Sequence, residues 1–127
     1  MNMMTVIAVS SGGVLGVLLR YGCYHFFGAV SLTFPTLVVN SLGCFLLGVF
    51  IAVFQQFELT ESMKLALVMG CCGGLTTFST FIYDIFRLLQ QQAFTQAVIY
   101  FVFSNVLGVA LFGVGFILSV YLLRFIV

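Results

Sequence analysis

Gly70-Cys71-Cys72-Gly73-Gly74-Leu75-Thr76-Thr77-Phe78-Ser79-Thr80-Phe81 is the stretch on which the reading of this chain turns. It lies within an apolar run from Met63 to Leu89, where a membrane helix should be least polar. Instead it carries glycines at 70, 73 and 74, hydroxyls at 76, 77, 79 and 80, and two phenylalanines at spacing i, i+3. Glycine weakens a helix, and a hydroxyl can satisfy backbone groups that an interruption sets free. Irregular backbone at membrane depth is tolerated where protein covers it or where it lines a watery path. A helix interrupted near the bilayer midplane is a common design for an ion or substrate site. The stretch therefore predicts a broken third span with function at the break.

Composition sets the class. Of 127 residues, 63% are hydrophobic and 6% charged, too little polar surface to clothe a soluble domain. The apolar residues fall into four blocks, Met4–Phe27, Thr36–Phe54, Met63–Leu89 and Ala97–Val127. Each can cross a hydrocarbon core of ~30 Å as a helix. The expectation is an all-α membrane protein, one four-helix transmembrane domain over residues 1–127. The N-terminal block lacks a basic region and a small-residue cleavage site, so a removable signal peptide is not expected.

Four spans put both termini and the middle loop on one side. Lys64 and Arg124 then fall on that side, and Arg20 and Arg87 towards the other. Orientation follows the Lys/Arg imbalance, and two against two leaves none. Such a chain can insert either way up and pair with its own inverted copy, although so few charges also fit an uninformative count.

Polar residues within the spans are sparse enough to take one by one. In span one Gly13, Gly16 and Arg20 share a face; the glycines read as a small-residue packing stripe, and Arg20 either snorkels to headgroups or attracts anions to a vestibule. Pro35 suits the first turn of span two. Thr36, Asn40 and Gly43 form a stripe there, and Asn40 serves either as an interhelical hydrogen bond or as an N–H donor to a passing anion. Thr60 and Glu61 suit the start of span three. Asp84 and Arg87, at i, i+3, read as an ion pair near the interface. Ser104, Gly108, Gly115 and Ser119 make a packing stripe in span four, and Asn105 adds a second hydrogen-bonding group beside Ser104.

Enzyme chemistry has no foothold. The acids are Glu58, Glu61 and Asp84, and no carboxylate pair, activated nucleophile or phosphate loop is present. Cys23, Cys44, Cys71 and Cys72 lack ligand spacing and read as buried free thiols. Nothing points to nucleic acid. The Asn, Ser and Thr groups can donate to an anion, and the hydroxyls can equally accept from a proton-bearing partner or coordinate a cation; Phe78 and Phe81 read as a packing pair, or, if they border the same space, as ring edges whose positive potential favours an anion.

The central stretch resembles the signature of the Fluc (CrcB) fluoride channels, with further matches in Gly12-Gly13-x-x-Gly16-x-x-x-Arg20-Tyr21 and Thr36-Leu37-Val38-Val39-Asn40-x-x-Gly43. The resemblance covers nearly the whole chain. It implies a multi-pass protein of the bacterial inner or plasma membrane, assembled as an antiparallel, dual-topology homodimer. Two pores would export cytoplasmic fluoride passively down its electrochemical gradient, and a structural Na+ would sit at the dimer interface. By the same resemblance, Phe78 and Phe81 would contact fluoride by their edges, and Asn40 would orient ring or ion. Ser79 and Thr80 would line the pore, joined on a looser match by Ser104 and Asn105. Arg20 would stand in the vestibule, and the backbone carbonyls of Gly73 and Thr76 would hold the sodium. Asp84 stands where that family often has glutamate, and Pro35 where it often has glycine. A proton-coupled exporter of the small multidrug-resistance type is the alternative, but those proteins use a glutamate in span one, and this span has no acid.

Overall fold

The computed structural model describes residues 2–125. Asn2 opens the first helix: its Oδ1 accepts from the Met4 N–H at 3.1 Å, and α1 runs Met3–Phe27. Ser31 Oγ accepts from the Phe34 N–H at 3.2 Å, and Pro35 occupies the first turn of α2, Phe34–Gln56. Pro lacks the N–H that a first turn leaves unpaired, so it starts the helix without loss. Thr60 Oγ1 accepts from the Met63 N–H and caps α3, Glu61–Leu65, with Glu61 in the first turn as expected. A side-chain cap of this kind stabilises a helix end by about 1 kcal/mol.

The third span is composite. α3 leads into a π-helical segment, Ala66–Cys72, and then into the short α4, Gly73–Leu75. Thr76 and Thr77 are extended, with ψ of 156° and 110°, before α5 runs Phe78–Gln90. The π segment admits an extra residue into the turn, which rotates the following face by about 100°. Gln92 has φ 57° and turns the chain into α6, Phe94–Leu123.

Among the described residues, four stretches are long and apolar enough to span a membrane: Met3–Phe27, Phe34–Gln56, Glu61–Gln90 and Phe94–Leu123. The third and fourth begin somewhat earlier than hydropathy alone places them, because Thr60 and the turn at Gln92 set the helix starts. Outward faces carry large apolar side chains such as Leu18, Phe86, Val109 and Ile117. That is the arrangement expected of a surface that meets lipid.

Inside, backbones approach closely where glycines allow it. A Cβ at Gly12 or Gly16 would run into the carbonyls of Ala66 and Cys71, and one at Gly74 would lie 2.7 Å from the Gly13 carbonyl. α1 therefore lies backbone to backbone on the π segment and α4. The packing pair on α1 is Gly12 and Gly16, not the expected Gly13 and Gly16; a Cβ at Gly13 would meet open space. On the other side α2 packs along α6, with Gly48 against the Phe112 carbonyl and Gly115 against Phe45. Phe81, Leu88, Ala97 and Tyr100 form a buried apolar cluster between α5 and α6.

Candidate functional site

The extended pair Thr76–Thr77 is held by side chains from other helices. Asn40, on α2, bonds both polar groups of the Thr77 main chain: the Thr77 N–H donates to its Oδ1 at 2.7 Å, and its Nδ2 donates to the Thr77 carbonyl at 3.2 Å. The carboxamide thus replaces a peptide partner, as buried backbone groups require. Arg20, on α1, donates from Nη1 to the Thr76 carbonyl at 3.3 Å. Thr76 Oγ1 donates to the Cys72 carbonyl at 2.9 Å, and Gly43 leaves the room that the Thr76 methyl fills.

These bonds divert the donors of a continuous helix. Gly73 O would receive the Thr77 N–H, which goes instead to Asn40. Thr76 O would receive the Thr80 N–H, which goes instead to Thr77 Oγ1 at 3.3 Å. Two carbonyls, Gly73 and Thr76, are thereby released from the helical ladder. Both border one cavity of about 480 Å³.

That cavity gathers most of the residues singled out in the sequence. Its wall includes Asn40, Phe78, Phe81, Ser104 and Asn105 together with Gly73 and Thr76. The rings of Phe78 and Phe81 are 5.9 Å apart by centroid and tilted by 43°. Phe81 is buried at 4% exposure and packs on Tyr100 at 5.1 Å and Phe101 at 6.0 Å, whereas Phe78 is 72% exposed. Ser104 Oγ is buried with no hydrogen-bond partner among the described residues, and Asn105 Nδ2 donates to its own helix at the Phe101 carbonyl. Arg20 and Thr80 border a second, smaller hollow with Val17, Tyr21 and Tyr24. Ser79 stands apart from both walls; its Oγ lies 3.4 Å from Thr77 Oγ1.

Asp84 departs from the expected pairing. It is buried at 3% exposure and accepts from Thr36 Oγ1 at 2.6 Å and from the Tyr100 hydroxyl at 3.4 Å. Arg87 lies instead over the Tyr83 ring, 5.8 Å from its centroid. The ion pair found among the described residues is Lys64 with Glu61, at 3.1 Å. Asp84 faces α2 and α6, where two hydroxyls satisfy it, and Arg87 points off that face. Thr36 shares a helical stripe with Asn40 in the sequence, and the structure turns that stripe towards the third span. Tyr24, whose hydroxyl lies 2.7 Å from Thr36 Oγ1, and Tyr100 gave no such signal.

Residues 7–116 match the family model described as CrcB-like protein, Camphor Resistance (CrcB). The chain is 37% identical over 124 residues to a protein of Pyrococcus abyssi named fluoride-specific ion channel FluC, covering 94% of this chain and 98% of that one. It is 38% identical over 115 residues to the protein of the same name in Ignicoccus hospitalis, covering 89% and 93%. The corresponding protein of Acinetobacter baylyi is 38% identical over 96 residues, covering 74% and 76%. These relatives are named as ion channels and not as enzymes. With four membrane-length apolar helices and a family match over most of its length, this chain is a multi-pass membrane protein that belongs to the CrcB-like family.

Proposed function

We propose that the protein is a fluoride-selective channel that lets cytoplasmic fluoride leave passively, working as a dual-topology antiparallel homodimer with two pores and a central sodium ion. The observation that carries this reading is the extended Thr76–Thr77 pair, pinned by Asn40, beside a phenylalanine pair on the wall of one cavity. The names of the relatives supply the ion.

Fluoride is small and strongly hydrated. A selective path must replace its water with donors without holding it too tightly to leave. Asn40 spends one Nδ2 proton on Thr77 and keeps the second for the cavity. Ser104 Oγ has a free proton at the same wall. The ring edges of Phe78 and Phe81 add positive potential without a full charge that would trap the ion. Arg20 and Thr80, at the second hollow, draw an anion towards the break. In this reading the break lies near the bilayer midplane, and Ser79 joins the path when a partner covers it.

For sodium, the donor set is the test. Gly73 and Thr76 offer carbonyl oxygens freed from their helical donors, the Thr76 oxygen keeping a second lone pair beside its bond from Arg20, and hard oxygen ligands suit a hard cation. One protomer supplies two, so an inverted second copy would complete a set of four. The ion would tie the two interruptions together at the interface.

Symmetric assembly is also favoured by what one protomer leaves open. Phe78 is largely exposed, and the cavity it borders is unroofed on that side, so a second copy would close it. The decisive experiment is efflux from liposomes read by a fluoride electrode, run beside chloride. Fluoride release with chloride retained is the expected result; equal release of both, or of neither, overturns the reading.

A further inference from the structure

Arg20 stands between two sites that the channel reading treats separately. Its Nη1 donates to the Thr76 carbonyl at 3.3 Å, and that oxygen belongs to the pair assigned to sodium. The same side chain borders the second hollow with Val17, Tyr21, Tyr24 and Thr80. Thr76 lines the larger cavity, so this one contact joins the two spaces.

The base of the arginine is fixed. Gly16, one helical turn earlier, lies so close to the Cys71 carbonyl and the Leu75 amide that a Cβ there would collide with both. Gly74 is pressed in the same way against Gly13. The guanidinium is always charged, and among the described residues it forms no ion pair. One of its N–H groups is used at Thr76, which leaves others for the hollow. Thr80 adds a donor there: its Oγ1 accepts from Thr77 Oγ1 at 3.0 Å and keeps its own proton. A guanidinium with no counter-ion, beside a spare hydroxyl, can hold a small anion.

The Thr76 oxygen has one lone pair for the Arg20 N–H and one for sodium. Two positive charges then draw on one oxygen and repel each other across it, strongly where the dielectric is low. An anion beside Arg20 offsets the guanidinium charge and draws its N–H groups towards the hollow. Both effects leave the carbonyl a better ligand for a cation.

We propose that Arg20 couples the two sites: an anion held in the hollow tightens sodium at the Gly73 and Thr76 carbonyls, and sodium tightens the anion. Linkage requires the two factors to be equal. This coupling rests on the sodium reading above and goes beyond it, since it makes Arg20 a positioning residue for the ion through the carbonyl that they share.

The test is a sodium titration of the purified full-length protein, read by thermal unfolding of the dimer in detergent. N-methylglucamine replaces sodium at constant ionic strength, and the series is run once in fluoride and once in gluconate, a bulky anion. Wild type should reach half-saturation at about tenfold less sodium in fluoride, within the usual range of coupling between sites. Arg20→Gln should still respond to sodium, with one half-saturation in both anions. Arg20→Lys keeps the charge and should keep the fluoride-dependent shift. A wild-type half-saturation that is the same in both anions overturns the proposal. So does an equal fluoride effect in Arg20→Gln, or its loss in Arg20→Lys. Calorimetric titration of wild type with fluoride, at low and at saturating sodium, checks the coupling without a variant; an affinity for fluoride that ignores sodium overturns it. A wild type indifferent to sodium in both anions would remove the sodium reading along with the coupling. Absent fluoride efflux beside an intact anion-dependent shift would strike the channel reading and leave the coupling in place.

Discussion

Asn40 does at one residue what a neighbouring strand or turn of helix would ordinarily do. Both of its contacts go to the main chain of Thr77, which is buried. Asn40→Ala should strip both groups of their partner, at about 1–3 kcal/mol for each unpaired group. The loss should appear as a lower midpoint in detergent unfolding and as abolished fluoride efflux. Phe81 makes a different kind of contribution, since its ring touches Phe78, Tyr100 and Phe101 and makes no hydrogen bond. Phe81→Ile should keep the protein folded and dimeric yet cut fluoride efflux by at least about tenfold, the loss of ~1.4 kcal/mol at the ion. Efflux at the wild-type rate would remove the ring edges from the mechanism. Much of this neighbourhood was legible in the sequence. Thr36, Asn40 and Gly43 repeat at helical spacing, and all three meet the third span, at Asp84, Thr77 and Thr76. The spacing of Asp84 and Arg87 pointed to an ion pair, but spacing within one helix says nothing of hydroxyls that other helices bring. Tyr100 sits alone in an apolar run, and Tyr24 follows Arg20 and Tyr21 at helical spacing, but neither pattern names the partner that another helix brings.

At the scale of elements, the third span works because it is not one regular helix. Its π segment gives α1 a face on which Gly12 and Gly16 can lie against carbonyls. Small residues are the usual means of close helix approach in a membrane. Gly16→Val should overpack this contact and destabilise the protomer by about 1–3 kcal/mol or more. Gly13→Ala, whose backbone lies in the contact but whose Cβ would meet open space, should stay within about 0.5 kcal/mol of wild type. The pair of variants, compared by detergent unfolding, separates the observed register from the expected one. That register was not readable beforehand. Ala66–Cys72 is apolar throughout, so no hydrophobic period marks the wider turn. Glycine and hydroxyl content singled out the stretch Gly70–Phe81, and the extended residues fall within it, at Thr76 and Thr77.

At the scale of the whole molecule, the proposed assembly makes its own demands. A Cβ at Gly73 would meet nothing closer than the Val68 carbonyl at 3.7 Å, so a side chain there fits within one protomer. Gly73→Leu should therefore leave a folded monomer and remove the dimer, as seen by size exclusion or by chemical cross-linking. A dimer of wild-type stability would contradict the central-ion assignment. Replacing sodium by a large organic cation should lower the thermal stability of the wild-type dimer and leave that of Gly73→Leu unchanged. Cross-links placed to capture parallel and inverted neighbours should recover the inverted pair. The four-span plan was evident from composition. The partner was not, because an exposed apolar ring such as Phe78 reads the same whether lipid or protein covers it.

The bonds to Asn40 also bear on the order of events during biogenesis. Asn40 lies on the second segment, and the carboxamide within residues 61–90, Gln90, stands at the far end of α5 from Thr77, so a nascent third segment entering lipid by itself lacks the group that draws the Thr77 amide out of register. The lowest-energy course at that moment is a plain hydrogen-bonded rod, with Gly73 and Thr76 accepting from the amides four residues on. Opening then follows docking against the second segment. A synthetic peptide of residues 61–90 in micelles should show helical chemical shifts without a break across Thr76 and Thr77, and adding the second segment should turn those two residues extended.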